Sequence, residues 1–111
     1  MITIRELRSV EDFHEFKSEK DGKIRIVKLM TSWCAPCRFL SETIRGLDSE
    51  KIGDSLFAEI DIDTDDTESV GFECGIRGVP VLIFYKNGEE IKRISGAVSA
   101  DVIYKTIEEL S

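Results

Sequence analysis

The chain is short of the residues that usually mark chemistry. It has 111 residues, with one histidine, one tryptophan, two prolines and three cysteines. A structural zinc site needs four ligands. The only Cys and His candidates are Cys34, Cys37, Cys74 and His14; there is no second C-x-x-C, and the four have no metal-ligand spacing. Positive charge is also scarce. Fifteen Lys and Arg stand against 22 Asp and Glu, a net charge of −7, which argues against a nucleic-acid partner because phosphates would be repelled. No apolar run approaches the length of a membrane span, so no membrane partner is expected. The start, M-I-T-I-R-E-L-R, lacks the apolar segment of a secretory signal. The expected compartment is the cytoplasm, where a Cys pair is more often catalytic or metal-binding than a permanent staple. There is no repeat, low-complexity tract or linker. One domain, residues 1–111, is expected, and 41% hydrophobic residues suffice for its core.

Patterning predicts the elements. Ile2 to Arg5 suits a short strand. Ser9 with Asp12 reads as a capping box opening a helix whose apolar face carries Val10, Phe13 and Phe16, and Asp21-Gly22 ends it. Ile24 to Met30 is almost continuously apolar, as in a strand covered on both faces; Lys28 breaks the pattern. Phe39, Leu40, Ile44 and Leu47 recur at roughly helical spacing. Leu56 to Ile62 reads as a buried strand, followed by an acidic helix start and a short helix to Cys74, stopped at Gly75. Val79 to Tyr85 is a further strand. Asn87-Gly88 signals a hairpin to a returning strand, Glu90 to Ile94. Ser99 caps a last helix with Val102, Ile103, Ile107 and Leu110. The order β-α-β-α-β-α-β-β-α predicts an α/β fold. Its mixed central sheet has about five strands and about four flanking helices, with parallel crossovers and an antiparallel edge from the hairpin. Active residues in such sheets lie at the carboxyl ends of the parallel strands. Cys34 falls there.

The rare residues converge on T-S-W-C-A-P-C-R, Thr31 to Arg38. A staple across so short a loop constrains the unfolded chain little. Redox chemistry fits better. A thiol attacks a disulfide as its thiolate. Cys34 is placed to cap the following helix, where free N–H groups and the positive dipole end favour an anion. That dipole contributes about 0.3–1 kcal/mol, rising to ~2 when partly buried, or about one pKa unit. Pro36 loses nothing in a first helical turn, having no N–H. Cys37, one turn on, can face the attacking sulfur and resolve a mixed disulfide.

W-C-A-P-C resembles the active-site motif of the thioredoxin family. Three further matches follow in order: G-I-R-G-V-P at Gly75–Pro80, K-N-G at Lys86–Gly88 and S-G-A at Ser95–Ala97. The resemblance covers nearly the whole chain and implies a thioredoxin fold and a protein-disulfide reductase. It implies Cys34 as nucleophile, Cys37 as resolving thiol and a redox-active Cys34–Cys37 disulfide. Trp33, Ala35 and Pro36 would flank the site. Pro80 would be a cis-proline that turns the backbone of Val79 toward an extended client strand. Gly78, Gly96 and Ala97 would line the same groove. No bound cofactor is implied. Electrons would come from NADPH through a thioredoxin reductase, and the other partners would be disulfide-containing client proteins. A monomer is implied; Cys74 offers a thiol for a disulfide-linked dimer. The rival readings are a thioredoxin-fold binding subunit with incidental redox activity, and an oxidase or isomerase variant.

The acidic run Asp61 to Asp66 fails as a calcium loop, because Asp66 and Phe72 stand where Gly and Glu are required. Five positions depart from the family pattern. Ala35 stands for glycine, Met30 for tryptophan, Val81 for threonine and Glu42 for proline. Lys28 stands where the family has a buried aspartate. The partner of that aspartate is a lysine on the neighbouring strand, and here the matching residue is Glu59. The pair is expected to be reversed in sign, with Lys28 and Glu59 taking over proton transfer. A buried, unpaired lysine would cost several kcal/mol or lose its proton.

Overall fold

The computed structural model describes residues 1–111. Five strands, β1 (Ile4–Leu7), β2 (Ile24–Met30), β3 (Leu56–Asp61), β4 (Val81–Lys86) and β5 (Glu89–Ser95), form one sheet in the order β1-β3-β2-β4-β5. Five helices flank it: α1 (Val10–Ser18), α2 (Ala35–Arg45), α3 (Ser49–Ile52), α4 (Glu68–Glu73) and α5 (Ala100–Leu110). The fifth, beyond the four expected, is the single turn α3. Asp48 caps it, its Oδ1 accepting from the Glu50 N–H at 2.9 Å.

Alternation along the strands divides the core. On one face Val27, Leu29, Ala58, Ile60 and Ile83 pack under α1 and α4 with Phe13, Phe16 and Val70. On the other, Ile24, Ile26, Phe57, Leu82 and Phe84 pack under α2 and α5 with Leu40, Ile44, Ile103 and Ile107. Lys28 shares its face with Ile26, so it points at α2.

Three expectations need correction. The crossovers were expected to keep the strands parallel up to the hairpin, but β4 runs antiparallel to β2; only β1, β3 and β2 are parallel. The reason is length. α4 has six residues, about 9 Å, which cannot carry the chain back along a strand of about 20 Å. The chain therefore enters β4 from the end at which β2 finishes, and this brings Pro80 to the Cys34 end of the sheet. Phe39 does not belong to the buried face of α2. The stripe is Cys37, Leu40, Ser41 and Ile44, and Phe39 lies about 200° around from Cys37, 72% exposed. Val102 of α5 also lies off the buried face, 38% exposed.

Local chemistry sets the ends. Ser9 Oγ accepts from the Asp12 N–H at 3.0 Å, and Asp12 Oδ2 accepts in return from Arg8 N–H rather than from Ser9. Ser9→Ala should cost about 1 kcal/mol, read from denaturant midpoints at unchanged m-value. An unchanged midpoint would mean that the cap contributes nothing. In the β4–β5 hairpin Asn87 and Gly88 have φ of 53° and 84°, the left-handed pair that a type I′ turn requires.

Candidate active site

Cys34 is the N-cap of α2, with φ −90° and ψ 110°. Its Sγ accepts from the Cys37 N–H at 3.2 Å. The two cysteines form a disulfide, their Cα atoms 5.3 Å apart. Cys34 is 5% exposed and Cys37 fully buried, so an incoming sulfur meets Cys34 first. Ala35 and Pro36 are exposed in the first turn between them.

The entrance to β4 lies beside this disulfide. The Val79–Pro80 peptide bond is cis, and the Val79 carbonyl oxygen lies 4.0 Å from Cys34 Sγ. Gly96 N–H donates to the Pro80 carbonyl at 2.9 Å, which ties the end of β5 to this loop. Ile76, Gly78, Val79, Pro80, Ser95 and Gly96 line an open groove of about 410 Å³. A Cβ on Gly78 would meet nothing within 4 Å, and Gly96 has φ of +95°, which side chains avoid. Ala97 is exposed just beyond. Trp33, Ala35 and Pro36 do not line this groove. Trp33 is 69% exposed, and its Nε1 donates to Asp63 Oδ2 at 2.9 Å. A larger depression of about 810 Å³ between α3 and α5 carries none of these residues.

Below the disulfide, Lys28 is 1% exposed. β2 and β3 pair Lys28 directly with Glu59, and Lys28 Nζ lies 3.4 Å from Glu59 Oε1. The ammonium also donates to the Cys37 carbonyl at 3.1 Å and to Ser41 Oγ. Ser41 Oγ donates in turn to the Cys37 carbonyl at 3.2 Å. Burial lowers the Lys28 pKa below its ordinary 10.5, and the Glu59 carboxylate works the other way. Glu59 is 20% exposed and reaches a second cleft of about 390 Å³, walled also by Met30, Asp61 and Thr67.

Two members of this constellation escaped the sequence reading. Asp63 passed as part of a solvated acidic run, yet it anchors Trp33. Ser41 lies one helical turn beyond Cys37 on the same buried stripe, and that i, i+4 spacing was the available signal.

Cys74 ends α4, half-buried and free. Burial pushes its thiol above the usual 9.0, although a hydrogen bond with Tyr85 acts against that shift. Little thiolate is then present at neutral pH, which argues against a reactive docking-side thiol. Iodoacetamide should label Cys74 far more slowly than reduced Cys34, with a rate still climbing above pH 9. Labelling as fast as Cys34 at pH 7 would contradict this.

A capping cysteine bonded to the amide of a partner one turn on, beside an open groove, defines a dithiol–disulfide exchange protein. The comparisons agree. The family model for thioredoxin matches residues 6–109. Thioredoxin from Gallus gallus is 32% identical over 107 residues, covering 94% of this chain and 98% of its own length. The Homo sapiens protein is 30% identical, covering 96% and 98%. The crystal structure of Fasciola hepatica thioredoxin superposes with a TM-score of 0.82 at 27% identity, covering 97% of this chain and all of that one. The chain belongs to the thioredoxin family and is a protein-disulfide reductase that works by dithiol–disulfide exchange.

Proposed function

We propose that the chain reduces disulfides of cytoplasmic client proteins, with Cys34 as nucleophile and Cys37 as resolving thiol. The observation that carries this reading is the hydrogen bond from the Cys37 amide to Cys34 Sγ at the cap of α2. It places an N–H and the positive end of the helix on the sulfur that becomes the thiolate. Cys34 attacks one sulfur of the client, the client's other sulfur leaves as a thiolate, and a mixed disulfide results. Cys37 then loses its proton and attacks Cys34 Sγ. The client's second sulfur leaves, and two electrons have passed to the client.

The Gly78–Val79–Pro80 loop with Gly96 and Ala97 would hold the client strand by its backbone, while Trp33, Ala35 and Pro36 face it across the disulfide. Lys28 and Glu59 serve the second step as a proton-transfer pair. The cation beneath α2 also favours the thiolate, which an aspartate there would oppose. A thioredoxin reductase fed by NADPH regenerates the dithiol, and the protein works as a monomer with no bound cofactor. The test is coupled turnover. Catalytic amounts of the chain, with NADPH and a thioredoxin reductase, should reduce insulin many times over. NADPH consumption no faster than without the chain would defeat the reading.

A further inference from the structure

Resolution requires Cys37 to give up a proton while a client covers the groove above it. Beneath Cys37 lies a buried polar chain. Ser41 Oγ accepts from the Lys28 ammonium and donates to the Cys37 carbonyl. Lys28 Nζ donates to that same carbonyl at 3.1 Å and sits 3.4 Å from Glu59. Glu59 Oε1 is buried and has no hydrogen-bond partner; its contact with the ammonium lacks hydrogen-bond geometry. The cleft that Glu59 reaches shares no residue with the client groove.

We propose that Ser41 is a positioning residue for the resolving step: its hydroxyl holds the Lys28 ammonium against the Cys37 backbone and so connects the resolving cysteine to Glu59 and to a proton exit that a docked client leaves open. The proposal rests on the proton-transfer reading of Lys28 and Glu59 given above. The ammonium passes one proton to the Glu59 carboxylate, and the neutral amine left behind then takes one from the Cys37 thiol by way of water, since Nζ itself meets the Cys37 carbonyl and not the sulfur. Cys37 is left as a thiolate, and its electron pair forms the bond to Cys34. The bond from Cys34 to the client breaks, and its pair leaves on the client sulfur, which takes a proton from solvent. Glu59 releases its proton into the cleft. The hydroxyl of Ser41 keeps its own proton throughout.

The other groups around the pair are few. Arg45 of α2 opposes Glu59 in its effect on Lys28, and β4 presents only Leu82 opposite Lys28. The charges lining the cleft around Glu59 are Glu6, Arg8, Asp61 and Asp66. Burial weakens the hold of Lys28 on its proton, which favours the hand-over to Glu59.

The test is the lifetime of the mixed disulfide. Reduced protein is mixed with a peptide disulfide, quenched in acid and weighed by mass spectrometry across a pH series. Ser41→Ala should slow resolution about ten- to a hundredfold, the loss of one charge-assisted hydrogen bond, and shift its pH profile. Ser41→Thr keeps the hydroxyl without emptying the site and should restore both. In a Lys28→Met background, Ser41→Ala should add no further slowing, because the hydroxyl acts through that ammonium. Wild-type resolution and profile in Ser41→Ala, or effects of Ser41→Ala and Lys28→Met that simply multiply, overturns the proposal. If Glu59→Gln still slows resolution in that case, the proton-transfer pair survives without Ser41. If Glu59→Gln and Lys28→Met are also silent, the pair falls with it.

Discussion

Cys34→Ser should abolish insulin reduction, while Cys37→Ser should hold its client as a stable mixed disulfide through Cys34. The asymmetry follows from position on one helical turn. Cys34 caps α2 and takes the Cys37 amide on its sulfur. Cys37 is buried inside that turn and cannot meet a folded client directly. Without Cys34 there is no first attack, and the loss of turnover should reach the uncatalysed background. Without Cys37 the first attack proceeds and the second cannot, so the covalent complex accumulates. Non-reducing gels and mass spectrometry check both. A mixed disulfide trapped through Cys37 in Cys34→Ser, with none in Cys37→Ser, would reverse the assignment.

The second large effect concerns the buried ion pair. Glu59→Gln removes the anion facing an ammonium that is 1% exposed, leaving it the Cys37 carbonyl and the Ser41 hydroxyl. Breaking such a pair should destabilise the oxidised protein by about 3 kcal/mol and slow resolution of the mixed disulfide. Lys28→Met should raise the Cys34 pKa by removing the nearby cation. It should also change the alkaline stability profile. The folded-state pKa of Lys28 lies below its ordinary 10.5, so the unfolded chain binds more protons between the two values. Lys28 therefore adds stability as pH rises through that window, and the gain is fully present above 10.5. Unfolding free energies of the wild type minus Lys28→Met should climb across the window; Cys74 and Tyr85 titrate in both proteins and cancel. A flat difference, with unchanged rates and thiol titration in both variants, would remove Lys28 and Glu59 from the mechanism.

What the sequence disclosed follows from the range of each signal. Caps, strand runs and Asn87-Gly88 are local, and they located the elements to within a few residues. The W-C-A-P-C motif is local too. The placing of Lys28 beside Glu59 was legible because both strands are continuous and their register follows from the family pattern. The direction of β4 was not, since alternation of strands and helices suggests parallel crossovers until the six residues of α4 are measured against the strand they must span. Phe39 misled because a bulky apolar residue beside Leu40 looks like core, whereas the helical angle sends it to solvent. Ser41 was missed because its i, i+4 spacing from Cys37 does not by itself show what the hydroxyl meets. Its meaning comes from Lys28, which reaches it across the sheet–helix interface.

One measurement bears most directly on the central claim that the thiolate at the cap of α2 carries out the attack. The reduced protein is pulsed with limiting iodoacetamide at neutral pH, digested, and the label is mapped among Cys34, Cys37 and Cys74. The label should fall on Cys34 well before either other cysteine, and its rate should titrate below the usual thiol range. Label arriving first on Cys37, or on Cys34 only at the pH of an ordinary thiol, would contradict it.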